Sequence, residues 1–402
     1  MDKKKQRLAI LALASVPLIM TLGNSMLIPI LPLLEKKLEI SKLQSSYIIT
    51  VYSIVTIIFI PLSGYLSDRF GRKTIIVPAL ILTGIGGLIS GFAAWKMDNA
   101  FTVVLIGRIL QGIGASGAMP VVIPLVSDMF EQEEEASATL GIIETSNTAG
   151  KVLSPILGSA LTALVWFLPF FAIPVLSAIS LVLMLFFIKK KEDRNNKPFK
   201  FGDYWNQLKE VFSEHKRWLL AIFFIGAIVM FILFGFLFYL SSILEDHYDF
   251  DGIIKGFLLA IPLFALATVS YITGKTIKDD MKKMKWLIVI GISIAGLSTI
   301  AILFMKHYIF LLAMFFICGA GIGMTLPSLD SIITENIDKD VRGSVTSLYS
   351  AMRFVGVATG PPIIALLMKT EVYWMVIVFV ITALFALYLA WKKIYPTNSA
   401  PY

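Results

Sequence analysis

The chain has 402 residues, 57% of them hydrophobic and only 15% charged, with a formal net charge of +8. A soluble domain carries roughly 25% charged residues, so this composition excludes an ordinary water-soluble fold. A single cysteine, Cys318, excludes a disulfide framework, and His215, His247 and His307 lack the spacing of metal ligands.

The apolar residues fall into twelve blocks: 9–34, 44–63, 74–95, 101–126, 138–163, 166–188, 218–243, 253–274, 286–305, 309–334, 343–368 and 372–391. Each is about as long as a helix that crosses a hydrocarbon core of about 30 Å. In lipid every backbone polar group must be satisfied inside a helix or a closed barrel, and segments this long are helices. The first block follows "MDKKKQR". It is too long for a signal-peptide core and ends without a small-residue cleavage site, so it reads as a retained first span. The expected fold is therefore all-α and integral to the membrane.

Between the second and third spans lies "GYLSDRFGRK", residues 64–73. Gly64 permits close approach of a helix end, and Gly71 supplies a tight turn. Asp68 precedes the third span, where a carboxylate suits the positive end of a helix dipole. Arg69, Arg72 and Lys73 hold the loop on one side of the membrane. With the N-terminus inside, 25 of the 35 lysines and arginines fall in inside segments. Lys36, Lys37, Lys42, Lys96, Lys306 and Lys369 are outside, and Lys255 sits at a span edge. This bias places both termini in the cytoplasm. The net positive charge thus reflects topology and carries no expectation of nucleic-acid binding.

The longest connection, residues 189–217, divides the spans six and six. It opens with the polar "KKKEDRNNKPFK", after which Trp205, Leu208 and Phe212 share one helical face. A short amphipathic helix on the inner membrane surface is expected there. The domains are then an N-terminal six-helix bundle over 1–188, a cytoplasmic linker over 189–217 and a C-terminal six-helix bundle over 218–402.

The halves repeat. A shift of 207 carries Gly112 onto Gly319, Gly114 onto Gly321, Pro120 onto Pro327, Ser137 onto Ser344, Thr139 onto Thr346 and Pro155 onto Pro362. The fourth and fifth spans therefore correspond to the tenth and eleventh. Paired bundles of this kind belong to transporters that hold substrate near the midplane and rock between two states.

The pattern at 64–73 resembles the signature loop of the major facilitator superfamily, and it is complete. "RILQGIGASG", residues 108–117, is similar to the fourth-span motif of proton-coupled members. "GKVLSPILGS", residues 150–159, resembles the fifth-span antiporter motif, with Ser154 and Ser159 in place of glycines. "GVATGPP", residues 356–362, is its counterpart in the second half. "GNSMLIPILP", residues 23–32, resembles the first-span motif of the twelve-helix drug/proton antiporters, with Asn24 where an acid is common. The resemblance implies the major facilitator fold, alternating access and export. It implies a conformational gate at Gly64, Asp68, Arg69, Gly71, Arg72 and Lys73, with Asp68 latching near Arg72 and the start of span eleven. It implies close helix packing at Gly112, Gly114, Gly150, Pro155, Gly158, Gly356, Gly360 and Pro361. The loop matching 64–73 in the second half, "GKTIKDDMKK", is degenerate, so one gate alone carries the full latch.

Ionisable residues inside spans are costly and by default functional. Arg108, Glu144, Lys151 and Arg353 lie in spans, and Asp330 lies nearer the inner end of span ten. With Asn24 and Gln111 they form the expected substrate and proton pathway. Glu144 and Lys151 are seven apart on one helix face. A buried network pairing Glu144 with Arg353 or Lys151 is the competing, purely structural expectation. Leaving out Asp330, three cations face one carboxylate, a balance that favours neutral or anionic amphiphiles. Met26, Met119, Met324 and Phe236 are candidates for an adaptable apolar wall.

The expected function is secondary active transport: proton-coupled efflux of small amphiphiles of the multidrug type. The alternatives are a dedicated exporter of an anionic metabolite, siderophore or lipid, and a solute/proton uptake symporter. A non-transporting membrane sensor is the rival from another class. It requires an output domain, and the longest loop is the 29 residues of 189–217. No enzyme is expected, since there is no nucleotide loop, metal cluster or nucleophile triad. The expected partners are a small-molecule substrate, protons and the lipid bilayer of the cell membrane, with the chain acting as a monomer without a cofactor.

Overall fold

A computed structural model describes residues 3–130, 132–188, 201–277, 280–304 and 307–394. All regular structure among them is helical. The helices are α1 (Lys3–Ser25), α2 (Leu31–Leu38), α3 (Lys42–Phe70), α4 (Arg72–Lys96), α5 (Phe101–Met129), α6 (Glu133–Leu164) and α7 (Leu168–Phe187). They continue as α8 (Phe201–Asp246), α9 (Gly252–Ile277), α10 (Met281–Ile300), α11 (Tyr308–Asn336), α12 (Lys339–Leu367) and α13 (Val372–Lys393). The first span is α1 and α2 together, and spans two to twelve are α3 to α13.

The first span is broken where a single helix was expected. A short 3₁₀ turn, Ile28–Ile30, separates α1 from α2, and Pro29 and Pro32 stand in the first turns of the two segments that follow the break. Proline lacks the N–H that would continue the ladder, but fits the first turn of a new helix. Ser41 starts α3 through a capping box, its hydroxyl accepting from the Gln44 amide at 3.3 Å. Gly71 ends α3 at φ 91°, ψ 143°, a conformation that side chains rarely adopt.

Eleven spans are apolar and long enough to cross a bilayer by composition alone. The remaining one, in α6, carries Glu144, Asn147 and Lys151, which lower its hydropathy. Ile58, Leu164 and Phe186 are 64%, 75% and 78% exposed. An exposed apolar face of this kind is suited to lipid.

The described chain forms two compact units: Met1–Trp205 with Phe250–Phe257, and Asn206–Asp249 with Leu258–Tyr402. Residues 189–200 of the linker lie outside the described residues. The rest of it is not a separate helix, because 201–217 runs straight into the seventh span as α8. Phe212 and Phe223 lie 5.6 Å apart between ring centroids. A straight helix would separate residues eleven apart by about 16 Å, so α8 bends between them.

The repeat is visible in how each unit packs. A Cβ on Gly112 would sit 2.6 Å from the Tyr52 carbonyl of α3, and one on Gly319 would strike the Pro262 carbonyl of α9. A Cβ on Gly158 would strike the Met26 carbonyl beside α1, and one on Gly356 the Ala227 carbonyl of α8. The fourth and tenth spans thus touch the second and eighth, and the fifth and eleventh touch the first and seventh. Small residues permit this backbone contact in lipid, where packing drives association.

Gly158→Ala is expected to cost about 1–3 kcal/mol through overpacking. A fall of several degrees in melting temperature checks this. Gly141→Ala on the same helix is the control, since nothing lies within 4 Å of its Cβ position.

Candidate functional site

The fourth span builds a polar cluster inside an apolar bundle. Arg108 and Gln111 are three apart, hence on one face of α5. Gly112 brings that face against α3. There the Arg108 Nε donates to the Ile48 carbonyl at 2.8 Å, and the guanidinium lies 4.4 Å from the centre of the Tyr52 ring. Nη2 donates to the Asn24 Oδ1 of α1 at 2.6 Å, and Nη1 donates to the Gln111 Oε1. Arg108 is fully buried, and Asn24 and Gln111 are buried with it. All its partners among the described residues are neutral. The Gln111 Nε2 is buried with no hydrogen-bond partner among them. Asn24, Arg108 and Gln111 therefore come together as one site. Tyr52 and the Ile48 carbonyl were not legible in the sequence, because nothing in an apolar run reveals which turn faces a guanidinium.

Glu144 stands apart. Its carboxylate is exposed and accepts from the Asn147 Nδ2 at 3.3 Å. Asn147 in turn accepts from the Thr21 hydroxyl of α1 at 2.5 Å. Within its own unit Glu144 meets Asn147 in place of the expected pairing with Lys151. An exposed carboxylate stays solvated and needs no buried counter-ion. Lys151 is half-buried on the same helix. In the second unit Arg353 of α12 pairs with Asp330 of α11 at 3.7 Å and lies 5.7 Å from the Tyr349 ring centre. Asn147 and Thr21 are polar connections that the charge-led reading passed over.

The 64–73 loop forms a network within its own unit. Arg72 pairs with Asp68, bonds Ser67 Oγ at 2.7 Å, and reaches Asp128 at the end of α5 at 3.3 Å. Asp128 was missed because it is distant in sequence from the loop. Arg69 donates to the Tyr65 hydroxyl at 3.3 Å. Lys73 donates to the Leu185 carbonyl at 3.1 Å and to the Ile188 carbonyl, which caps the C-terminal end of α7.

The motif positions of the fourth, fifth and eleventh spans pack as small residues do. A Cβ on Gly114 would sit 2.5 Å from the Ala79 carbonyl, and one on Gly150 3.0 Å from the Leu18 carbonyl. A Cβ on Gly360 would meet the Phe231 carbonyl at 2.9 Å. Pro155 and Pro361 lie inside α6 and α12. Lys255 lies at a span edge as expected, in the first turn of α9, and is buried there. Gly64 lies inside α3.

The chain matches the Major Facilitator Superfamily over residues 13–361 and again over 283–401. It belongs to that superfamily. It is 49% identical over 375 residues to the bacillibactin exporter of Bacillus subtilis, covering 93% of this chain and 92% of that protein. It is 25% identical to the class C tetracycline resistance protein of Escherichia coli, covering 85% of each. Among solved structures, a D-xylose–proton symporter superposes with a TM-score of 0.79 at 14% identity, over 97% of this chain and 98% of that one. A bacterial homologue of the human lysosomal transporter Spinster superposes at 0.77 and 15% identity, over the full length of both. These distant likenesses establish the superfamily fold: twelve membrane-spanning helices in two related six-helix bundles.

Asp68→Asn is expected to loosen whatever state the loop network holds. Charge–dipole and exposed ion-pair interactions of this kind run to about 0.3–2 kcal/mol, a severalfold shift in a balanced equilibrium. Labelling of cysteines introduced beside the 64–73 loop, in a Cys318→Ser background, should rise while transport falls. Unchanged labelling together with unchanged transport rules the gate out.

Proposed function

We propose that this chain is a proton-coupled exporter of bacillibactin or a closely related siderophore, residing in the cell membrane with both termini cytoplasmic. The observation that carries the reading is the 49% identity to the bacillibactin exporter over nearly the whole of both chains. Likeness to tetracycline and multidrug efflux proteins is about half as great. A dedicated metabolite exporter is therefore favoured over the multidrug type expected from motifs. The site fits the reading: a buried guanidinium among neutral partners favours an anionic, oxygen-rich molecule over a cation.

The test uses purified protein in proteoliposomes with an imposed proton gradient. Bacillibactin should accumulate against its concentration gradient, and collapse of the proton gradient should stop it. Tetracycline should be moved poorly. Brisk tetracycline transport with no movement of bacillibactin would restore the multidrug reading.

A further inference from the structure

We infer that Asn24 sets the charge preference of the substrate site: by remaining neutral it leaves Arg108 open to an anionic oxygen of the transported molecule, with the Gln111 amide as a second donor. The inference rests on the export reading for its setting and deepens it to a specificity residue.

A guanidinium has five N–H donors and no acceptor. Three of its nitrogens are engaged, by the Ile48 carbonyl, Gln111 Oε1 and Asn24 Oδ1. Two N–H groups remain. The Gln111 Oε1 is taken by Arg108, so its amide nitrogen is left as a buried donor without a partner. The cluster therefore holds one full positive charge and surplus donors, with no carboxylate within reach of Arg108 among the described residues. A buried cation is costly unless it is paired, and a planar fork with spare N–H groups matches a pair of anionic oxygens. The residue best placed to cancel that charge from within is at position 24, whose side-chain oxygen already sits 2.6 Å from Nη2. As asparagine it orients the guanidinium without neutralising it.

The repeat shows that this polarity is not a requirement of the packing. Under the shift of 207, Arg108 corresponds to Phe315 and Gln111 to Cys318. In the second unit Phe315 meets Phe236 of α8, their ring centroids 3.4 Å apart, and α8 is the span that corresponds to the α1 helix bearing Asn24. Phe236, Phe315 and Cys318 are all buried. The same helix–helix contact is thus closed by apolar side chains in one half and by an uncompensated cation in the other. A cation retained where rings suffice points to a ligand.

The experiment measures binding and melting temperature for the full chain in lipid nanodiscs: wild type, Asn24→Asp, Asn24→Ser and Gln111→Leu. The probes are 2-naphthoate, 2-naphthamide, 2-naphthylmethylammonium and bacillibactin. Wild type should prefer naphthoate to the ammonium by at least tenfold. Asn24→Asp should lose at least tenfold in naphthoate affinity while melting at or above the wild-type temperature, since the new carboxylate pairs with Arg108. Asn24→Ser, which removes the bond but adds no charge, should keep naphthoate ahead of the ammonium. Gln111→Leu should weaken naphthoate about fivefold. Asn24→Asp with naphthoate affinity within threefold of wild type overturns the inference, as does a wild type without preference for the anion. Should Asn24→Asp not purify as a folded protein, Gln111→Leu with unchanged naphthoate affinity overturns it equally. If bacillibactin does not bind but the naphthoate preference and its loss persist, the selectivity inference stands and the siderophore reading fails.

Discussion

Arg108→Ala is expected to abolish transport, and Arg108→Lys to retain a small part of it. Truncating one partner of a buried, hydrogen-bonded charge contact costs roughly 2–5 kcal/mol, which is about 30-fold to several-thousand-fold in affinity. Lysine keeps the charge but loses the planar fork. It cannot hold the Ile48 carbonyl, Gln111 and Asn24 together while stacking on Tyr52. Arg108→Met separates function from packing. It fills much of the same volume with flexible apolar atoms and removes a buried cation whose partners among the described residues are all neutral. Its melting temperature should stay near that of wild type while transport is lost. An alanine or methionine variant that transports at the wild-type rate would show that the arginine only packs.

Glu144→Gln is expected to abolish uphill accumulation while sparing exchange of substrate across proteoliposomes without a gradient. Proton-driven transport needs a group that binds and releases a proton as the protein changes state. His215, His247 and His307 all lie outside the twelve apolar blocks of the sequence. Of the two candidate carboxylates, Asp330 is paired with Arg353, whereas Glu144 is exposed and accepts from Asn147. Through Asn147 and Thr21 it is connected to the first span, so a change of protonation is felt at a helix interface. Because Glu144 is exposed, glutamine strands no buried charge, and the several-kcal/mol loss that follows breaking a buried pair should be absent. Melting temperature should therefore change little, and the pH dependence of exchange should flatten. A variant that still pumps uphill would pass the proton-carrier role to Asp330.

The charged residues show where sequence reasoning works and where it stops. Arg108 and Gln111 were legible as a pair because an i, i+3 spacing on a helix fixes a common face whatever surrounds it. The Gly112 beside them was legible as a packing residue for the same local reason. Glu144 and Lys151 also share a face by spacing, yet Glu144 turns to an exposed position and bonds Asn147. Spacing fixes which residues of one helix are neighbours. It does not fix what the neighbouring helix presents. Nothing in the spacing along α12 shows that Asp330 of α11 meets Arg353.

The sequence by itself determined the class, the number of spans and the internal repeat. Those follow from block length against bilayer thickness and from a constant offset of 207, and both are properties of order along the chain. It also determined that position 24 is a neutral residue near the start of a span motif. Only the tertiary structure decided that Asn24, Arg108 and Gln111 converge, that Tyr52 stacks on the guanidinium, and that in the second unit Phe315, the counterpart of Arg108, meets Phe236. The physical reason is that a buried cation's meaning lies in its partners, and those partners come from three helices whose mutual rotation is set by packing. No local pattern in one helix encodes that rotation.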